Sequence, residues 1–134
     1  MQTHPAVCTL AYWHHPVFSS GQHGSIPKMK SIFTILYNHK ADIVINGHDH
    51  LYERFGPQNV NGVREDTRGI REFIVGTGGA GLYSWSTIKA NSEARENTTH
   101  GVLKLTLRST NYDWEFIPIA GKTYRDSGSY GCVN

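Results

Sequence analysis

Two short apolar runs, Val7 to Trp13 and Asp42 to Asn46, each stop at histidines, and one amphipathic stretch joins them. No other feature restricts the fold as much. Both runs are too short for helices and too continuous for half-exposed strands, so they read as strands buried on two faces. Between them, Ser25-Ile26-Pro27 opens a helix with proline in its first turn. Met29, Ile32, Phe33, Leu36 and Tyr37 then follow the i, i+3, i+4, i+7, i+8 spacing of a single buried stripe, ending near His39-Lys40. Strand, helix and strand make a βαβ unit over residues 7–46, with parallel strands and a right-handed crossover. The histidines follow the carboxyl ends of both strands, where open α/β sheets place their sites.

The rest of the chain reads as mainly antiparallel β. Leu51 to Phe55 predicts a short strand, followed by an Asn61-Gly62 turn, and Ile70 to Val75 predicts another that runs into Gly76-Thr-Gly-Gly-Ala-Gly81. Residues 82–100 keep no period and read as a long surface excursion. Gly101 to Arg108 and Tyr112 to Ile119 alternate as a hairpin around Ser109 to Asn111, and Tyr124 opens a last edge strand. In that hairpin Asp113, Trp114 and Glu115 need no further role. The fold class is α/β with α+β character, one βαβ unit followed by mainly antiparallel strands, in a single domain over residues 1–134.

The composition, 38% hydrophobic and 18% charged, is that of an ordinary globular chain. A net charge of +2 carried on scattered Lys and Arg gives no nucleic-acid or anionic-membrane surface. No run approaches the roughly 18 apolar residues of a membrane span. Met1-Gln-Thr-His-Pro5 lacks the basic and apolar regions of a signal peptide and leads almost at once into a strand, as in a chain cut from something longer. Cys8 and Cys132 are either two reduced thiols or one bridge. A bridge implies an oxidising compartment, secreted or periplasmic, for the parent protein.

Eight histidines are the one compositional anomaly. His48 and His50 flank a single residue, and in extended backbone they project to the same side after Gly47, which allows a sharp turn. His14 stands at the equivalent end of the neighbouring strand, so His14, His48 and His50 are the candidate metal ligands. No Asp or Glu precedes Asp42, which leaves the acidic half of such a site unaccounted for. Asp49 and Glu53 either orient ligand imidazoles or serve the structure. His4, His39 and His100 read as surface or packing residues. Gly76 to Gly81 spells Gly-x-Gly-x-x-Gly, but Tyr83-Ser-Trp-Ser86 breaks any helical period after it, so the dinucleotide motif fails its context. No Gly-x-Ser-x-Gly elbow anchors a serine hydrolase. Asn97-Thr98-Thr99 is a glycosylation sequon, meaningful in a eukaryotic secretory context.

Ala11-Tyr-Trp-His-His-Pro-Val-Phe18, the helix, and Asn46-Gly-His-Asp-His-Leu-Tyr-Glu-Arg54 resemble the C-terminal half of calcineurin-like metallophosphoesterases, in the purple acid phosphatase-like branch. Arg71-Glu-Phe-Ile-Val-Gly-Thr-Gly-Gly79 fits the same branch. The resemblance implies half of a double-sheet sandwich and a two-metal centre of iron, zinc or manganese that activates a hydroxide and clamps phosphate oxygens. It implies that His14 and His48 bind one metal and His50 the other. His23, nine residues after His14, matches a catalytic histidine that touches phosphate or protonates the leaving oxygen. His15 falls at a non-ligand position, which implies packing or support of the ligands, the role also open to Asp49. The family's remaining ligands lie in an N-terminal half with Asp-x-His, Gly-Asp-x-x-Asp/Tyr and Gly-Asn-His motifs, and this sequence contains no Asp-x-His, Gly-Asp or Gly-Asn.

Three neutral imidazoles suit one Zn²⁺ with an open position, not two dications about 4 Å apart, so one metal is expected in this chain alone. The implied function is a metal-dependent phosphoester hydrolase or a piece of one, acting on a phosphoester. The alternative is a catalytically silent module that binds metal or phosphate. An uncovered sheet half further predicts self-association or pairing with an N-terminal half.

Overall fold

In the computed structural model, which describes residues 7–133, the βαβ unit is present. It comprises β1 (Leu10–Tyr12), α1 (Lys30–Asn38) and β2 (Ile43–Asn46), with β1 and β2 parallel in the register Leu10↔Ile43 to Tyr12↔Ile45. A 3-10 turn at Pro27–Met29 leads into α1, and Lys40, with φ at 56°, ends the helical run. His4 lies outside the described residues.

With nine residues α1 is too short to persist by propensity, so packing holds it. Phe33 is buried, and Met29, Leu36 and Tyr37 lean on Val17, Ala41, Val44 and Ile70. Ile32, counted in the stripe, is 41% exposed, so the buried face is narrower than its spacing predicts.

Six more strands follow: β3 (Tyr52–Phe55), β4 (Arg71–Val75), β5 (Ser92–Glu96), β6 (Gly101–Leu107), β7 (Asn111–Pro118) and β8 (Ser127–Gly131). The first sheet has the order β1-β2-β4-β3-β5, with β4 parallel to β2 and β3 antiparallel to both β4 and β5. The second, β6-β7-β8, is wholly antiparallel.

Alternation along the strands divides the molecule into layers. Ile43 and Ile45 on β2, Phe73 and Val75 on β4, and Tyr52 on β3 meet Tyr112, Trp114 and Phe116 of the second sheet. On the opposite face Val44 packs under α1, while Leu51, Phe55 and Ile74 pack under Phe18 and Trp85.

Three sequence expectations are corrected. β1 is an edge strand among the described residues, and Tyr12 at its end is 80% exposed, so this run is not buried on two faces. Residues 82–100 are not all excursion, because Ser92–Glu96 forms β5 against β3. Tyr124 opens no strand: β8 begins at Ser127, and the Tyr124 ring packs 5.5 Å from Phe116.

Charged knots and one covalent bond join the sheets. Asp126, just before β8, accepts from Tyr52 Oη at 2.6 Å, Arg54 Nε at 2.8 Å and Trp114 Nε1 at 3.1 Å. Arg71, on β4, donates to Glu93 at 2.7 Å and lies over the Trp114 and Tyr130 rings at 5.0 and 4.9 Å. Cys8 and Cys132 form a disulfide with their Cα atoms 5.3 Å apart, tying the approach to β1 to the end of β8.

Partial burial raises the Glu93 carboxyl, but hydrogen bonds and charge from Arg71, Arg64 and Arg54 outweigh it and hold the group at about 2. A folded-state value below the unfolded one contributes stability above the ordinary carboxylate range, and that stability is lost as pH falls toward about 2. We expect Glu93→Gln to lower stability at neutral pH and to flatten the acid limb between about pH 4.5 and 2. Urea midpoints measured across that range check this, and parallel acid limbs for variant and wild type would contradict it.

Candidate metal and phosphate site

Parallel pairing of β1 and β2 releases Trp13-His14-His15 and Gly47-His48 from the same end of the sheet. The ladder continues past the strands: Trp13 N–H donates to Ile45 O at 3.2 Å and Gly47 N–H to His14 O at 3.0 Å. The Asn46 amide donates to Trp13 O at 2.9 Å, which pins the turn after β1. The sharp turn expected at Gly47 is taken instead by His48, whose φ is 67°. A left-handed backbone of this kind is uncommon for a residue with a Cβ and is typical of sites where the surrounding structure over-determines the backbone.

His14, His15 and His48 converge. Their ring centroids lie 4.4 to 5.2 Å apart, and one nitrogen from each falls within 4.8 Å of the others. His14 and His15 are exposed, and His48 is half-buried. Burial lowers the His48 pKa first, and the neighbouring imidazoles add to it, so the neutral, metal-binding form is favoured. Zn–N bonds of about 2.0–2.1 Å need the nitrogens to close by small side-chain rotations. The donors present therefore fit one nitrogen-loving divalent ion.

The other predicted residues divide differently. His50 is not in this group: its ring stacks on Tyr83 at 4.1 Å and 13°, and its Nδ1 is 2.9 Å from Gly81 O. The His23 ring lies 4.6 Å from His48 and 5.1 Å from Tyr83, so it borders the cluster. Asp49 is fully buried and does not join the three histidines. It accepts the Ser19 hydroxyl in a short hydrogen bond, His23 N–H at 2.9 Å and His23 Nδ1–H at 3.1 Å. Because a carboxylate only accepts, His23 carries its proton on Nδ1 and keeps Nε2 free. Asp49 thus orients His23 and not a member of the triad.

Two more buried acids hold the same loop. Glu72 of β4 accepts Val17 N–H at 2.9 Å and Phe18 N–H at 3.3 Å, while Glu53 of β3 accepts Ser20 N–H at 2.9 Å. Burial pushes Glu72 up to about 8 against the lowering effect of the Val17 and Phe18 amides. Glycines make these approaches possible. A Cβ on Gly21 would stand 2.5 Å from Asp49 Cγ, and one on Gly76 would stand 2.0 Å from Asp49 O. Gly76, the first glycine of the Gly-x-Gly-x-x-Gly run, serves strand packing. Sequence reasoning passed over Glu72, Ser19 and Tyr83. The available signal for Glu72 is an acid inside the otherwise apolar Phe73-Ile74-Val75 strand.

A βαβ unit presenting imidazoles at adjacent strand ends, backed by an antiparallel sheet, agrees with the half-sandwich that the resemblance implies. No protein-family model matches the chain. A protein of Arabidopsis thaliana described as probable inactive purple acid phosphatase 1 is 33% identical over 85 residues, 58% of this chain and 14% of that protein. The purple acid phosphatase PPD1 from yellow lupin (Lupinus luteus) seeds superposes with a TM-score of 0.79 at 26% identity, over 92% of this chain and 25% of that one. GAP50, described as the anchor in the inner membrane complex of Plasmodium, shares the fold with a TM-score of 0.73 at 16% identity, over 96% of this chain and 38% of that one. The chain is similar to purple acid phosphatase-like metallophosphoesterases, and its mixed and antiparallel sheets match part of the lupin enzyme's fold. It spans a minor share of each of these relatives.

Removing the Asp49 carboxylate leaves the Ser19 hydroxyl and the His23 amide without acceptors. Asp49→Ala should cost about 1–3 kcal/mol for each orphaned donor, read by urea unfolding. In histidine-ring NMR spectra the His23 resonances should move while those of His50 stay in place. An unmoved His23 would contradict the assigned anchor.

Proposed function

We propose that this chain takes part in metal-dependent phosphoester hydrolysis, with one divalent metal held by His14, His48 and His15 and a phosphate group bound beside His23. The observation that carries the reading is the convergence of three imidazole nitrogens within 4.8 Å at the ends of two parallel strands. A metal held there would supply Lewis acidity toward a phosphate oxygen and lower the pKa of a coordinated water. The chain's own contribution is orientation. Asp49 accepts from His23 Nδ1–H and holds the ring beside His48; as an imidazolium, His23 would also carry a proton on Nε2 that it could pass to a departing alkoxide. His50, held flat against Tyr83, borders the same opening and is the residue left for a second metal if carboxylates are brought to the site. Zinc, iron and manganese are the candidate ions, and the imidazole set favours zinc.

A second reading is that the chain binds metal or phosphate without turnover. It is favoured by the lack of any carboxylate in the cluster among the described residues and by the name of the Arabidopsis relative, which is described as inactive.

Two measurements separate the readings. Isothermal titration of the purified chain with Zn²⁺ should give one site, lost in the His14→Ala and His48→Ala variants. With Zn²⁺ or Mn²⁺ present, p-nitrophenyl phosphate should then be hydrolysed by the wild type and not by either variant. Turnover that survives both substitutions overturns the hydrolase reading, and a bound metal with no turnover establishes the silent module. His23→Ala should cost about 10²-fold or more on phenyl phosphate, whose leaving group needs a proton, and far less on p-nitrophenyl phosphate. Equal losses on the two substrates would remove His23 from that role.

A further inference from the structure

A cavity of about 420 Å³ is lined in part by residues of the loop that carries the histidines. Its volume falls within the roughly 300–1,000 Å³ of small-molecule sites. Phe18 and Pro27 supply an apolar and aromatic wall over the buried Val17 and Phe55, and Lys30 and Lys89 stand among the residues that line it. No acidic side chain is among them.

The polar groups at the base are already satisfied by one another. Asn91 Nδ2 donates to Gln58 Oε1 at 3.1 Å and to Gly56 O at 3.0 Å, while Gln58 Nε2 donates to Glu72 at 3.3 Å. Such a base offers little to a sugar or another ligand rich in hydroxyls. Lys30 Nζ donates to Asn61 Oδ1 at 2.8 Å, which fixes one ammonium and leaves two of its three N–H groups for a ligand. Lys89 adds a second positive charge. Apolar walls with two ammonium groups and no carboxylate are complementary to a flat apolar body bearing one negative charge.

We propose that this cavity binds a small aromatic anion, a bicyclic arene bearing a carboxylate or sulfonate, with the ring against Phe18 and Pro27 and the charge toward Lys30 and Lys89. The site is separate from the histidine cluster and does not rest on metal binding. It does share the loop: Val17, Phe18 and Ser25 line the cavity, while His14, His15 and His23 of the same stretch form or border the cluster.

The test is an amide-resolved NMR titration of the metal-free chain with 1-naphthoate, with the uncharged 1-naphthalenemethanol as control. Saturable shifts centred on Val17, Phe18, Ser25, Asn61 and Gly62 are expected. The alcohol and the Lys30→Ala/Lys89→Ala variant should each bind about tenfold more weakly, the scale of two modest ion pairs. Ala90→Trp, at an exposed position lining the cavity, should abolish binding while leaving the rest of the spectrum unchanged. Shifts centred on His14, His15 and His48, no saturable shifts, or an affinity untouched by the double lysine variant or by Ala90→Trp would overturn the proposal. An alcohol binding as tightly as the carboxylate would overturn it too.

Discussion

The site depends on where the Asp49 carboxylate goes, and the left-handed turn at His48 decides that. With His48 at φ 67°, the backbone through residues 48–50 is not extended, so the two histidines flanking Asp49 do not share a side. His48 joins His14 and His15, His50 goes to Tyr83, and Asp49 is driven inward beneath the loop. There it gathers the Ser19 hydroxyl and both donors of His23. The loop after β1 is thereby tied to the end of β2 by a carboxylate outside the histidine group.

Buried charge is used in two ways on the two faces of the first sheet. On the face toward the second sheet, carboxylates meet guanidinium groups: Asp126 pairs with Arg54, and Glu93 with Arg54, Arg64 and Arg71. These pairs sit within an aromatic core, where Trp114 lies under two of the guanidinium groups. On the opposite face Glu53, Glu72 and Asp49 have backbone amides and hydroxyls as partners. A buried carboxyl with only neutral donors bears its full desolvation cost, which is why Glu72 stands near 8 while Glu93 stands near 2. The hydrogen bonds that Glu53, Glu72 and Asp49 accept, from Val17, Phe18, Ser19, Ser20 and His23, hold the polar loop without a regular element to support it.

What was legible in the sequence follows the strength of local periodicity. The helical stripe from Met29 to Tyr37, the continuous run of β2 and the alternating hairpin of β6 and β7 each carry their own signal, and each is found at the expected place. β5 carries none. Ser92-Glu-Ala-Arg-Glu96 alternates small and charged residues, with Ala94 its only apolar contribution to the core, and it exists because β3 offers an edge. Tyr124 has an aromatic side chain suited to a strand but is used as a packing plug against Tyr52 and Phe116. The Cys8–Cys132 bridge was open in the sequence because a separation of 124 residues says nothing about distance. At the site, residue types were legible and the direction of each side chain was not, because one positive φ undoes the two-residue period on which the pairing of His48 with His50 rests.

The donor set also bears on what such a centre attracts. Three imidazoles neutralise none of a divalent ion's charge, whereas a carboxylate-bridged pair of metals has part of its charge cancelled by the protein. The acids that might have served lie within hydrogen-bond reach of the loop and are committed to it, Asp49 to Ser19 and His23, and Glu53 and Glu72 to the backbone of residues 17–20. A divalent ion held by these imidazoles alone would therefore keep a strong positive field at an exposed strand end, with an anion as its natural counter-charge. In the proposed reading a phosphate would meet that need, with the His23 ring 4.6 Å from that of His48. The same arithmetic separates binding from catalysis: affinity for an oxyanion needs only the uncompensated charge, while two-metal chemistry needs carboxylates that this loop has already taken for its own support.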